Sequence, residues 1–196
     1  MWSFVIAFCL VLVYMLFFYS KGAGLAADIA LFTNLFFLFG VLASIGAVLT
    51  LPGIAGIVLT MGMSVDANVL IYERIQEELR AGKGLRLAIK EGYKQAYSAI
   101  IDGNVTTLLT GFILYYFGEG PIKGFATTLI IGIFTSLFCA IFITRIILDN
   151  ASKKNDNVRF TTPFTANWLR DVHFPFLERR KVGYTVSAVS YTHLRA

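Results

Sequence analysis

Residues 53–72 read GIAGIVLTMGMSVDANVLIY, a run that is long and apolar enough to cross a bilayer and that contains one carboxylate, Asp66. An ionised acid at the middle of a membrane helix costs about 2.5–3.5 kcal/mol on insertion scales, so such residues are rare without a role. Two expectations follow: the chain spans a membrane, and Asp66 takes part in its function.

The composition of the 196-residue chain is that of a membrane protein. Charged residues make up 15% of it, against about 25% in soluble domains, and 57% is hydrophobic. We expect an all-α membrane protein, a polytopic helical bundle of five complete transmembrane helices followed by the start of another. The five predicted spans are residues 2–19, 29–51, 53–72, 95–117 and 124–144.

The basic residues fall on alternate connections between these spans. Six of them lie in the loop 73–94 and others follow residue 144, whereas the opposite connections hold only Lys123. The positive-inside rule then places the N-terminus outside, and the loop 73–94 and residues 145–181 in the cytoplasm. The net charge of +5 is therefore explained by membrane topology, and we expect no nucleic-acid partner. The first span has no basic segment before it, which argues against a signal peptide.

Three regions are predicted along the chain: a transmembrane bundle (1–149), a cytoplasmic or interfacial linker (150–181), and a truncated further span with a non-native tail (182–196). Because the first helix enters from outside, we expect the natural chain to begin earlier. Within the bundle, the loop 73–94 is predicted to form two short amphipathic helices around a glycine-rich break. Its role is either a solvated connection or a docking surface for a partner.

Small or polar residues recur every four positions in spans three, four and five, a spacing that lets membrane helices approach closely. We therefore predict that these spans form one tight unit, with Gly62, Gly124 and Gly132 as packing glycines. Gly62, one turn from Asp66, leaves room for a water or a partner helix. The three predicted faces are Gly56, Thr60, Ser64 and Asn68; Ser98, Asp102, Thr106 and Thr110; and Gly124, Thr128, Gly132, Ser136, Ala140 and Thr144.

Two carboxylates, Asp66 and Asp102, lie at matching distances from the loop 73–94 on consecutive helices, each in an Asp-x-Asn triplet with Asn68 or Asn104. For Asp66 we consider reversible protonation and, as the alternative, a hydrogen-bonded acid that joins helices. Asp102 and the two asparagines are expected to be accessory. Whether the two acids face each other is left open by the sequence.

Other chemistry is not indicated. No lysine or arginine lies within a span to pair with Asp66, so a basic partner must come from another half or another chain. Cys9 and Cys139 lie in apolar spans, where cysteine behaves as a small hydrophobic residue. We expect no metal, no cofactor and no enzymatic activity, with a proton as the coupling ion and sodium as the alternative.

Four stretches of the chain resemble SecD, the accessory subunit of Sec protein translocation. The segment Phe174–Lys181 is similar, less specifically, to the lead-in of SecF, so the whole resembles the junction of a fused SecD–SecF chain. The four stretches are LPGIAG (51–56) with GMSVDANVLIYERI (62–75), ERIQEELRAGK (73–83), residues 99–107, and FGEGPIKGFA (117–126).

The resemblance implies a fold of the resistance-nodulation-division type, in which this chain holds helices two to six of the SecD half. It implies use of the proton-motive force to assist preprotein export across the bacterial cytoplasmic membrane, with Asp66 at the family's proton-responsive aspartate. The implied partners are the SecYEG translocon, the SecF half, preprotein through a missing periplasmic domain, and membrane lipid. Two alternatives remain: a proton-driven exporter of small molecules or lipids, and a non-transporting membrane scaffold.

Overall fold

The computed structural model describes residues 2–154, 160, 184, 185 and 187. Residues 184, 185 and 187 are helical and belong to a second unit that begins at Pro163. The first unit, which ends at Thr162, is built entirely from helices in its described part. In chain order these are α1 (Trp2–Phe18), α2 (Lys21–Ser44), α3 (Leu51–Arg80), α4 (Leu85–Phe117), α5 (Pro121–Phe138), a π-helical segment (Cys139–Ile143) and α6 (Thr144–Lys154).

All five predicted spans are helical, and the predicted all-α membrane fold is confirmed. Four helical stretches are long and apolar enough to cross a membrane, and α1 contributes a shorter apolar helix, Val5–Phe18. The bounds predicted for the second span, 29–51, are wrong, since α2 begins at Lys21 and ends at Ser44. Gly46 follows with φ +64°, a left-handed conformation that ends the helix before the apolar run is exhausted.

A short connection precedes both α3 and α5, and a proline lies in the first turn of each of these helices. Thr50 caps α3, since its Oγ1 accepts a hydrogen bond from the Gly53 amide at 3.1 Å, and Pro52 lies in the first helical turn. Helix α5 begins in the same way at Pro121, directly after Gly120 with φ +53°. These two turns lie at the same end of the bundle.

Helix α3 is the centre of the bundle and packs against both α5 and α4. The small-residue face predicted for α3 is buried. The face predicted for the fifth span, which covers α5, the π-helical segment and the start of α6, is also buried, apart from the half-buried Gly124. At one close approach, a Cβ atom added to Gly132 would lie 2.5 Å from Cγ2 of Thr60. The prediction of a tight unit is confirmed for these two helices.

The face predicted for α4 is wrong, because Ser98, Asp102, Thr106 and Thr110 are all exposed. The hydroxyl groups of this stripe bond within their own helix; for example, Thr110 Oγ1 donates to the Thr106 carbonyl at 3.1 Å. A four-residue polar repeat therefore needs no partner helix. Helix α4 turns another side toward α3 and α5, and its buried residues are Ala88, Ile89, Gly92, Tyr93, Ala96, Ile100 and Gly111.

Helices α3 and α4 form a long hairpin. They have 30 and 33 residues, about 45 and 50 Å of helix, whereas the hydrocarbon core of a bilayer is about 30 Å thick. Both therefore extend beyond the membrane at the turn that joins them, which contains Gly82 with φ +85°. The predicted glycine break is present, but the predicted short helices are wrong: each amphipathic segment continues a membrane helix.

Charged groups fasten the tip of this hairpin. The Lys83 ammonium group pairs with the Glu78 carboxylate and lies 3.3 Å from Glu91 Oε2, and Gln95 donates a hydrogen bond to Glu78. The hydrogen bond from Lys83 to Glu78 raises the pKa of Lys83. The two helices are thus held together outside the apolar region as well as within it.

The linker and further span predicted beyond residue 154 lie outside the described residues, except for Phe160 and residues 184, 185 and 187. Phe160 is buried against Tyr72, with ring centroids 5.6 Å apart, and its carbonyl accepts a hydrogen bond from Gln76. It joins the larger of two apolar clusters, which includes residues of α2, α3, α4 and α6.

Candidate functional site: a carboxylate cleft between α3 and α4

Asp66 lines a cleft of about 200 Å³ between α3 and α4. Its side chain is exposed in this chain, on the side of α3 opposite the face that packs against α5. No hydrogen bond or ion pair between described residues includes Asp66. The cleft is lined by Met63, Asp66, Ala67 and Leu70 of α3 and by Ala99, Ile100, Gly103 and Asn104 of α4.

The structure brings Asp66 together with Asn104, and the lining of the cleft does not include Asp102. Asp102 is exposed, and Ser98 Oγ donates to its Oδ2 at 3.5 Å. The Asn104 amide nitrogen is occupied by a 2.8 Å hydrogen bond to the carbonyl of Ile100, one turn earlier. The second Asp-x-Asn triplet therefore presents its asparagine, not its acid, to the cleft.

Asn68 faces away from the cleft and makes a hydrogen bond to another part of the bundle. Its Oδ1 accepts from Thr144 Oγ1 at 3.0 Å, and both side chains are buried. Thr144 follows the π-helical segment and its hydroxyl group also lies 3.2 Å from the carbonyl of Cys139. The cross-helix bond expected for Asn68 is present. The π-helix was not predicted; such segments are frequent where a helix carries a function, but they leave no sequence signal.

The three predicted packing glycines differ in what surrounds them. An added Cβ would meet Thr50 at Gly124 and Thr60 at Gly132, so both allow close helix contact. At Gly62 it would meet nothing within 4 Å, and this residue is exposed on α3. Four residues along a helix place Gly62 on nearly the same side as Asp66, so the open space leaves room for a water or a partner helix and the packing role of Gly62 stays a prediction.

A second acid, Asp28, lies inside a membrane-spanning helix and was not predicted from the sequence. Asp28 lies on α2, one residue before the start of the predicted span 29–51. Only 7% of its surface is exposed. Its Oδ1 is buried and has no hydrogen-bond partner in the part of the chain that the structure describes. The signal that identifies it is the start of α2 at Lys21, which places Asp28 in the candidate span Gly22–Ser44.

No group of three or more His, Cys, Asp or Glu side chains in the described part of the chain is arranged to hold a metal ion. The cleft carries one acid and one amide among apolar side chains. The acid and the amide are therefore the polar side chains with which this cleft can contact an ion, water or a further helix.

The comparisons with known proteins agree on one family. The family model described as protein export membrane protein SecD/SecF, C-terminal, matches residues 1–154. The protein translocase subunit SecD of Rhodothermus marinus is 61% identical over 140 residues, which are 71% of this chain and 22% of that one. The SecD subunit of Koribacter versatilis is 53% identical over 146 residues, 74% of this chain and 27% of that one.

A solved structure has the same fold. The crystal structure of SecDF, a translocon-associated membrane protein from Thermus thermophilus, matches with a TM-score of 0.86 and 36% sequence identity, over 95% of this chain and 25% of that chain. The chain thus spans about a quarter of the length of these relatives. The resemblance to SecD is confirmed, and the chain belongs to the SecD/SecF C-terminal family of protein export membrane proteins.

Proposed function

We propose that this chain is the membrane-embedded C-terminal part of an auxiliary subunit of the Sec preprotein translocase, which uses the proton-motive force to assist protein export. The observation that carries the proposal is Asp66, an acid on a membrane helix that lines a cleft and has no hydrogen bond or ion pair among the described residues. The names of the relatives, protein translocase subunit SecD and SecDF, support the same assignment.

The charge of Asp66 has a cost in free energy that the proton-motive force can offset. Ionising an acid within the membrane costs about 2.5–3.5 kcal/mol, and moving one charge through 100 mV supplies about 2.3 kcal/mol. Because the two magnitudes are similar, a transmembrane potential and pH gradient can shift the population of the charged state. The protonated side chain can then be covered by apolar surface, whereas the ionised one requires water or a cation in the cleft.

Helix α3 is suited to pass this change on to the rest of the bundle. Asp66 and Asn68 lie roughly 200° apart around the helix, so one faces the cleft while the other is hydrogen bonded to Thr144 after the π-helical segment. A rotation or shift of α3 that follows the charge of Asp66 therefore alters its contact with α5 and α6. We propose that this motion drives the parts of the full-length protein outside this chain.

The proposal also covers the location of the chain, its partners and its coupling ion. The chain is a multi-pass component of the bacterial cytoplasmic membrane, with its N-terminus periplasmic and the turn between α3 and α4 cytoplasmic, as the basic residues indicate. Its partners are the SecF half, which supplies the cation missing from the cleft, the SecYEG translocon and the exported preprotein. The coupling ion is the proton, with sodium as the alternative, and the chain is a translocation component, not an enzyme.

The test is Asp66→Asn in the full-length protein, with Asp102→Asn as the matched control because Asp102 is exposed and does not line the cleft. We expect Asp66→Asn to abolish the stimulation of preprotein export by an imposed proton gradient, while folding and partner binding are preserved. Normal stimulation in this variant would contradict the proposal and favour a scaffold.

A further inference from the structure

The second buried acid, Asp28, is not used by the function proposed above. It lies seven residues after the start of α2, about 10 Å along the helix from the end of the bundle predicted to be cytoplasmic. Only 7% of its surface is exposed, and Oδ1 has no hydrogen-bond partner among the described residues. None of the ion pairs between described residues includes it.

Lys21 lies two turns before Asp28 on α2, and no ion pair between the described residues joins Asp28 to a cation on a neighbouring helix. Tyr72 of α3 interacts electrostatically with Asp28. On α6, Arg145 lies 3.9 Å from Asp149 and is exposed, and on the π-helical segment Cys139 is buried and uncharged. On α5, Lys123 lies over the ring of Tyr115, and α1 carries no charged residue.

A row of tyrosines connects this region with the exposed end of the bundle. The Tyr72 hydroxyl group donates to the carbonyl of Ala23 at 2.8 Å, and its ring packs edge-to-face on Tyr19, with centroids 5.2 Å apart. Tyr19 in turn donates to Oε1 of Glu73 at 3.3 Å, and Glu73 is exposed. Polar groups therefore extend from the neighbourhood of Asp28 to water.

An ionised carboxylate in this position is strongly disfavoured. Burying a charge without a partner costs several kcal/mol, and a group in that situation takes up a proton instead. A neutral carboxyl group needs only a hydrogen-bond acceptor for its proton, and the oxygen of Tyr72 keeps an accepting lone pair after it has donated to Ala23. Burial of Asp28 without a partner among the described residues thus favours the neutral over the ionised carboxyl group in the packed bundle.

We propose that Asp28 is a second proton-binding residue of this membrane domain, protonated in the packed bundle and exchanging its proton at the Tyr72–Tyr19–Glu73 end. The site takes a proton and no larger ligand, since only 7% of Asp28 is exposed. It is independent of the cleft of Asp66, so it stands whether or not Asp66 drives export.

Infrared spectroscopy of the full-length protein in lipid at neutral pH tests the proposal. We expect the C=O stretching band of a protonated carboxylic acid in the wild type, its loss in Asp28→Asn, and its retention in Asp102→Asn, whose acid is exposed. If Asp66 also contributes to this band, that contribution is absent from the spectrum of Asp66→Asn. The two variants therefore separate failure of this proposal from failure of the proposed function. If the folded Asp28→Asn variant shows the same carboxylic acid band as the wild type, the proposal is overturned.

A second variant keeps the proposal testable where Asp28→Asn does not fold. Tyr72→Phe retains the ring and its packing against Tyr19 but removes the hydroxyl group that is bonded to Ala23 of α2. We expect the carboxylic acid band to shift and its hydrogen–deuterium exchange to slow in this variant. An unchanged band position together with an unchanged exchange rate overturns the proposal.

Discussion

Substituting Gly132 tests the packing of α3 against α5, on which coupling through the bundle depends. A Cβ at this position would lie 2.5, 2.6 and 2.7 Å from Cγ2, Oγ1 and Cβ of Thr60. Carbon atoms in contact are separated by about 3.5–4.0 Å, so Gly132→Ala requires the two helices to move apart by about 1 Å. A rotamer change of Thr60 does not relieve the clash, because Cβ is fixed by the backbone.

We expect Gly132→Ala to destabilise the folded protein. Overpacking of this kind costs about 1–3 kcal/mol, and the better helix propensity of alanine offsets about 0.5–1 kcal/mol of it. The net loss is therefore about 1–2 kcal/mol, measured by reversible unfolding of the full-length protein in bicelles. Gly62→Ala is the matched control, since a Cβ there meets nothing within 4 Å, and it should be neutral or slightly stabilising.

A double-mutant cycle makes the reasoning stricter. Thr60→Gly removes all three atoms that the new Cβ would meet, so Gly132→Ala combined with Thr60→Gly should be less destabilised than the sum of the two single variants. Coupling energies between contacting residues are about 0.5–3 kcal/mol. If Gly132→Ala and Gly62→Ala are equally stable, or if the cycle shows no coupling, the close approach of α3 and α5 is refuted.

Three further changes have defined outcomes. Gly92→Ala should loosen the α3–α4 hairpin, because its Cβ would lie 2.7–2.9 Å from Ile75 atoms that include the backbone, and hydrogen–deuterium exchange of the hairpin amides should accelerate. Thr144→Val should destabilise the protein in the same unfolding assay by about 1–3 kcal/mol, since it leaves the buried Asn68 oxygen without its donor. Asp102→Asn should reduce proton-dependent export less than the cleft variant does; an equal loss would mean that the two acids act as a coupled pair.

The fold could be predicted because its signals are local. Apolar runs of about 20 residues identify the spans, and Pro52 and Pro121 mark where two of the helices begin. The small residues of α3 and α5 were assigned correctly to a contact, since Gly132 offers its neighbour no side chain. The same spacing failed on α4, where Thr106 and Thr110 satisfy their hydroxyl groups within the helix and need no partner.

The site was predictable only in part. Asp66 is identified by the apolar residues around it, but which residue of the second Asp-x-Asn triplet joins it depends on how α4 is rotated, and no sequence pattern fixes that rotation. Asp28 was missed for a different reason: the predicted span begins at residue 29, where the average hydropathy becomes apolar, whereas α2 begins eight residues earlier at Lys21. Burial of a single acid depends on how the other helices pack against its own, and no local sequence pattern fixes that packing.

The central claim is that Asp66 takes up and releases a proton during translocation. The most direct measurement is difference infrared spectroscopy of the full-length protein in liposomes, with an imposed proton gradient switched on and off and Asp66→Asn as the reference. The account predicts a protonated carboxyl signal that changes with the gradient and is absent from the Asp66→Asn spectrum. A wild-type spectrum in which Asp66 remains ionised with and without the gradient would contradict it.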